Sequence, residues 1–123
     1  MFEKILIIDD DEMSRKMTKF VLKDCQYMLL EAETGEMGVQ QIIRNEDIKL
    51  ILLDMEMPGM NGLETYKKIQ EVLEGKEMPK IIFLTADGQK DTVLEAGMLG
   101  VCDYIVKPFF PQDLLSRVQK VMG

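Results

Sequence analysis

Five reactive side chains in this sequence directly follow short apolar runs: Asp9 and Asp10 after KILII, Asp54 after LILL, Thr85 after KIIFL and Lys107 after DYIV. Three carboxylates brought into one cleft repel one another, and their pKa values climb unless a cation joins them. The ligands on offer are hard oxygens. Two or three carboxylates with open water positions suit octahedral Mg²⁺, at about 2.0–2.1 Å, when a phosphate completes the shell. With such an ion in place, Asp54 is a candidate carboxylate nucleophile that forms an acyl phosphate. Phosphoryl transfer asks a protein for alignment and charge stabilisation more than for covalent machinery. Lys107 supplies charge, and the Thr85 hydroxyl and Ala86 N–H supply hydrogen bonds to a phosphoryl oxygen. The next acid in the first run, Asp11, is read as a helix-start residue.

The elements that must position these groups are legible as alternating patterns. Uniformly apolar runs at Lys4–Ile8, Leu50–Leu53 and Lys80–Leu84 have the length of strands buried on both faces, with weaker strands at Tyr27–Leu30 and Asp103–Val106. Between them, helical spacing recurs. Met13, Met17, Phe20 and Val21 form one apolar stripe, with Arg15, Lys16 and Lys19 opposite; Val39, Ile42 and Ile43 form a second, in a helix opened by Thr34-Gly35-Glu36. Asn45 to Lys49 is the turn that follows. Pro58, Gly59, Asn61 and Gly62 turn the chain after Asp54, with Asn61 as helix cap. The next helix points Leu63, Tyr66, Ile69 and Leu73 inward and Lys67, Lys68 and Glu71 outward. Asp91–Met98 is a poorly patterned fourth helix, and Pro111 starts a fifth that buries Leu114, Leu115, Val118 and Val121. Five strands alternating with five helices, without hairpin signals, predict a doubly wound α/β domain with a parallel sheet. Ligands in such domains bind beyond the carboxyl ends of the strands. All five reactive side chains lie there.

Composition excludes several alternatives. With 123 residues the chain is one domain, able to bury roughly two thirds of its unfolded surface. A net charge of −7 disfavours nucleic acid or an anionic membrane as the direct partner. Cys25 and Cys102 fit no metal or redox spacing and are read as apolar fillers. The absence of a signal peptide or long apolar span points to the cytoplasm. The eleven methionines are read as core and helix-face filler, with Met60 and Met98 on adaptable contact surfaces. No histidine is present, so imidazole-based catalysis and self-phosphorylation on histidine are excluded.

IIDD at residues 7–10, LLDMEMPGMNG at 52–62, TA at 85–86, and Tyr104 with KPF at 107–109 together resemble the receiver domain of bacterial response regulators. The similarity spans residues 1–123 in order. It implies a flavodoxin-like sheet of order 2-1-3-4-5 and a phosphoacceptor role for Asp54. It further implies that Asp10, Asp54 and the backbone carbonyl of Glu56 hold Mg²⁺, that Asp9 acts through metal-bound water, and that Lys107, Thr85 and Ala86 bind the phosphoryl group. Tyr104 would turn inward as Thr85 moves toward the phosphate, remodelling the face formed by the fourth helix, fifth strand and fifth helix. The Lys107-Pro108 bond is expected to be cis. The phosphoryl donor would be a phosphohistidine on a histidine kinase or histidine phosphotransfer protein, docking near the first helix. A downstream protein target would read the output. The kinase, the target and the oligomeric state stay open, a monomer being allowed.

Two departures and one rival accompany this resemblance. Phe110 is a poor helix cap whose ring is expected to be exposed, and the acids Glu56 and Asp87 flank the phosphorylation site, where their charges would alter how fast phosphate enters and leaves. The rival is a Mg²⁺-dependent phosphohydrolase resembling the haloacid dehalogenases, with Asp9 as covalent acceptor. Met13 stands where that motif wants Thr or Val, and no acidic pair follows Lys107.

Overall fold

Alternating side chains of one strand feed two separate cores, which explains why the strands read as unbroken apolar runs. In the computed structural model, residues 2–86 and 103–123 are described. Strands β1 (Lys4–Ile8), β2 (Met28–Ala32), β3 (Ile48–Asp54), β4 (Lys80–Thr85) and β5 (Asp103–Val106) form one parallel sheet in the order β2-β1-β3-β4-β5. Leu6, Ile8, Ile51, Leu53 and Phe83 point to one face, beneath α2 (Gly35–Arg44) and α3 (Gly62–Val72). Ile5, Ile7, Leu50, Leu52, Ile82 and Leu84 point to the other, beneath α1 (Glu12–Leu22) and α4 (Pro111–Met122). Each fully buried Leu or Ile contributes roughly 1.5–3 kcal/mol, so the two faces supply most of the driving force. The doubly wound fold and the strand order expected from the sequence are both present. The helix expected at 91–98 lies outside the described residues, as do Asp87, Met98 and Cys102.

Local chemistry sets the helix starts. Asp11 caps α1 by accepting from the Met13 N–H at 3.2 Å, and Thr34 caps α2 by accepting from the Met37 N–H at 3.0 Å. Asn61 and Glu64 form a reciprocal capping box on α3. Phe110 gives α4 no side-chain cap, and Pro111 begins that helix instead.

Several expectations need correction. The stripe Met13, Met17 and Phe20 faces outward, at 71%, 52% and 63% exposure. The inner side of α1 is Thr18 and Leu22, with Ser14 and Val21 half-buried. A buried threonine is tolerated because its hydroxyl donates to the Ser14 carbonyl at 3.0 Å. Arg15, expected on the solvent side, turns inward to the strand ends. Ile43 is exposed, leaving Val39 and Ile42 as the buried stripe of α2, with Gly35 and Gly38 also buried. Strand β2 begins one residue later and ends two residues later than the apolar run suggested, and β3 begins at Ile48 rather than Leu50. Cys25 packs half-buried against the second core, as a filler does.

Candidate functional site

Strand register assembles the site. Ile8 pairs with Leu53, which sets Asp9 beside Asp54 at the next step along both strands. Asp54 pairs with Leu84 and Thr85 with Val106, which brings Thr85 and Lys107 to the same edge. Groups separated by 98 residues thereby meet: Lys107 Nζ lies 2.9 Å from Asp9 Oδ2 and donates to it, and 3.6 Å from Asp54 Oδ1. Ligand oxygens of Asp9, Asp10 and Asp54 all fall within 4.8 Å of one another. Asp9 and Asp54 are buried and Asp10 is exposed, so the cluster opens to solvent on one side.

The electrostatics follow from that packing. Burial is the largest influence on Asp54 and lifts its pKa to about 7, opposed by Lys107 and reinforced by the charge of Asp9 and a contact with Asp10. Burial also works to raise Asp9. It is outweighed by hydrogen bonds from the Ser14 side chain, the Asp11 N–H at 2.9 Å and Lys107, which hold that carboxyl below the usual range. Burial works against the Lys107 ammonium too, but the Asp9 hydrogen bond and the charges of both aspartates leave its pKa raised. Both Asp9 oxygens are engaged in hydrogen bonds, which is a poor arrangement for the covalent acceptor of the phosphohydrolase alternative.

Three features of the site had no signal in the helical periodicity. Arg15 Nη1 donates to the backbone carbonyl of Asp9 at 2.6 Å while its Nε reaches Glu31 Oε1 at 3.3 Å, tying the loop that presents Asp9 and Asp10 to β2. Lys19 joins Glu31 at 2.8 Å, and that hydrogen bond lowers the Glu31 pKa. Gly62 packs against backbone: a Cβ there would lie 2.6 Å from the Asp54 carbonyl oxygen and 2.7 Å from Met55 Cα. Glu56 is the third. Its N–H donates to Asp54 Oδ1 at 3.2 Å, while its own Oε1 accepts from the Thr85 hydroxyl at 3.0 Å and the Ala86 N–H at 2.5 Å. A lone acid in a loop gives no sequence signal for that reach.

The remaining named residues lie at the rim. The Tyr104 side chain is outward and exposed, and its carbonyl accepts from Arg117 at 3.2 Å. The Lys107-Pro108 bond is cis. The Phe110 ring is exposed, as the sequence suggested. Among the described residues no helix is long and apolar enough to cross a membrane.

The donor set fits a hard divalent cation. Three carboxylates within reach of a common point, oxygen-only and open on one side, match what Mg²⁺ requires.

Comparison with known proteins agrees with this geometry. The family model described as the response regulator receiver domain matches residues 5–119. The chain is 40% identical over 121 residues to a chemotaxis protein CheY homolog of Campylobacter jejuni, covering 98% of this chain and 92% of that protein. It is equally 40% identical over 121 residues to the chemotaxis protein CheY1 of Helicobacter pylori, covering 98% and 97%. Among solved structures, Vibrio cholerae CheY4 superposes with a TM-score of 0.89 at 27% identity, covering 98% of this chain and 99% of that one. The BeF3-activated DrrB receiver domain does so with 0.82 at 29%, covering 99% and 98%. The strand-end carboxylates, the lysine that bridges them and these matches lead to one conclusion: the chain belongs to the response regulator receiver domain family, the phosphoacceptors of two-component signalling.

Proposed function

We propose that Asp54 is the phosphoacceptor and that residues 1–123 form one cytoplasmic receiver domain taking its phosphoryl group from a histidine kinase or histidine phosphotransfer protein. The observation that carries this reading is the gathering of Asp9, Asp10 and Asp54 within 4.8 Å of one another, with Lys107 Nζ 2.9 Å from Asp9 and 3.6 Å from Asp54. An Asp54 oxygen attacks the donor's phosphorus; the O–P bond forms as the N–P bond breaks, and the departing imidazole keeps the electron pair and takes up a proton. Asp9, Asp10, Asp54 and the Glu56 carbonyl would hold Mg²⁺, which when bound supplies charge neutralisation at the reacting oxygens. Lys107 places a second positive charge beside Asp54. The Thr85 hydroxyl and Ala86 N–H stabilise a phosphoryl oxygen. In this sense the domain catalyses its own phosphorylation and dephosphorylation while serving as a switch.

Occupancy by phosphate would draw Thr85 inward and open room for Tyr104, whose outward ring is consistent with a resting state. The output surface would then include β5 and α4, read by a downstream protein rather than by nucleic acid or membrane. The exposed Met13, Met17 and Phe20 suit the donor-docking role expected near the first helix. Phosphotransfer from a panel of purified histidine kinases, with Asp54→Asn as control, tests the assignment. Label should appear on the unmodified chain and be absent from Asp54→Asn; label retained by that variant would overturn it.

A further inference from the structure

Glu56 occupies a position that its assigned role does not explain. That role asks only for its backbone carbonyl, yet its side chain reaches across to β4, where Oε1 accepts from both the Thr85 hydroxyl at 3.0 Å and the Ala86 N–H at 2.5 Å. These are the two donors that would hold a phosphoryl oxygen. The reach is set by the backbone: Glu56 follows Asp54 by two residues, and its N–H is tied to Asp54 Oδ1 at 3.2 Å. An ionised carboxylate receiving two such bonds is held more strongly than a neutral acceptor would be. One pair of donors cannot serve that carboxylate and a phosphoryl oxygen at once.

We infer that Glu56 is a built-in occupant of the phosphoryl-oxygen site. Its carboxylate caps Thr85 and Ala86 while Asp54 is bare and must leave before a phosphoryl group or a mimic can be held. This inference rests on the assignment of Asp54, Thr85 and Ala86 given above. It makes Glu56 a determinant of how readily the domain is charged: every anion arriving at Asp54 competes with a carboxylate already in place. It also ties the resting position of Thr85 to an acid in the loop after β3, so that arrival of phosphate frees the threonine from one partner as it supplies another.

A contact and a distant charge make different predictions, which allows a direct test. Beryllium fluoride is titrated into the full chain at saturating Mg²⁺, with affinity read by fluorine NMR and the Ala86 amide followed in nitrogen–proton spectra. Glu56→Ala, Glu56→Gln and Glu56→Asp are compared with the unmodified chain. Loss of the competing contact should tighten beryllofluoride binding in Glu56→Ala by roughly tenfold, the size of one charge-assisted hydrogen bond surrendered. Before titration, the Ala86 amide of that variant should lie upfield of its position in the unmodified chain. Glu56→Asp keeps the charge but is about 1.5 Å too short, so it should behave like Glu56→Ala. If instead Glu56→Asp matches the unmodified chain and Glu56→Gln matches Glu56→Ala, only charge matters and the capping contact is overturned. Equal affinity in all four chains would overturn it as well. Asp54→Ala separates this idea from the site assignment: it should abolish beryllofluoride binding with Glu56 intact, and persistence of binding there would refute the assignment itself.

Discussion

Asp54 and Asp9 lie side by side and burial works to raise both, yet their pKa values move in opposite directions because their hydrogen bonds differ. Asp9 collects the Asp11 N–H and Lys107, whereas Asp54 has Lys107 only at 3.6 Å and the Glu56 N–H at 3.2 Å. With Asp54 raised from 3.8 to about 7, the metal-free folded chain holds a proton between those pH values that the unfolded chain has shed. Its stabilising effect is therefore present at low pH and is lost as pH rises through about 7. Asp9, being lowered, acts in the opposite sense, adding stability above the ordinary carboxylate range that is lost as pH falls through its depressed folded value. Asp54→Asn should accordingly stabilise the metal-free chain by ~2–4 kcal/mol at pH 8, with the gain shrinking toward zero near pH 4. Urea denaturation in the presence of a chelator at the two pH values measures this; a gain independent of pH would contradict the electrostatic account.

At the scale of the elements, the loop between β3 and α3 is built to an unusually close tolerance. Gly59 takes a positive φ of 74°, which makes the turn, and Gly62 lets the first turn of α3 rest on the backbone of Asp54 and Met55 while its N–H donates to the Met55 carbonyl at 2.9 Å. A methyl group at Gly62 would meet backbone, which cannot rotate away. Gly62→Ala should lower stability by about 1–3 kcal/mol despite alanine's better helix propensity, and should reduce phosphorylation by displacing the end of β3 that carries Asp54. Chemical denaturation and initial phosphotransfer rates check the two effects together. Unchanged values for both would show that α3 can move away without disturbing the site. Helix α1 teaches a related lesson. Its methionine and phenylalanine stripe has the period of a buried face, but the sheet surface beneath α1 is met by Thr18 and Leu22, and Arg15 is drawn inward by the Asp9 carbonyl and Glu31. Periodicity gives the angle between residues on a helix and leaves its rotation about the axis open.

For the molecule as a whole, three carboxylates lie within 4.8 Å of one another with a single lysine against two of them, so a divalent cation should stabilise the domain by mass action. At free Mg²⁺ a hundredfold above its dissociation constant the gain should be about 2.7 kcal/mol, read as a rise in thermal midpoint that a chelator reverses. Asp10→Asn should reduce that rise sharply while leaving the midpoint of the metal-free chain nearly unchanged, since Asp10 is the exposed member of the cluster. A full Mg²⁺ response in Asp10→Asn would remove that residue from the site.

Side-chain chemistry and local pattern are written in the sequence: four apolar runs that end in reactive groups, the caps Asp11, Thr34 and Asn61, and an oxygen donor set suited to one class of ion. These depend on neighbours a few residues apart, so the strand-helix alternation and the composition of the site could be read directly. Only the tertiary structure decided which face of α1 is covered, that Arg15 is a brace for the Asp9 loop, and that the Glu56 carboxylate lies on Thr85 and Ala86. Those outcomes depend on strand register and helix rotation. Both are set by packing between segments tens of residues apart, where a half-buried arginine or a well-placed glutamate leaves no periodic mark in the chain.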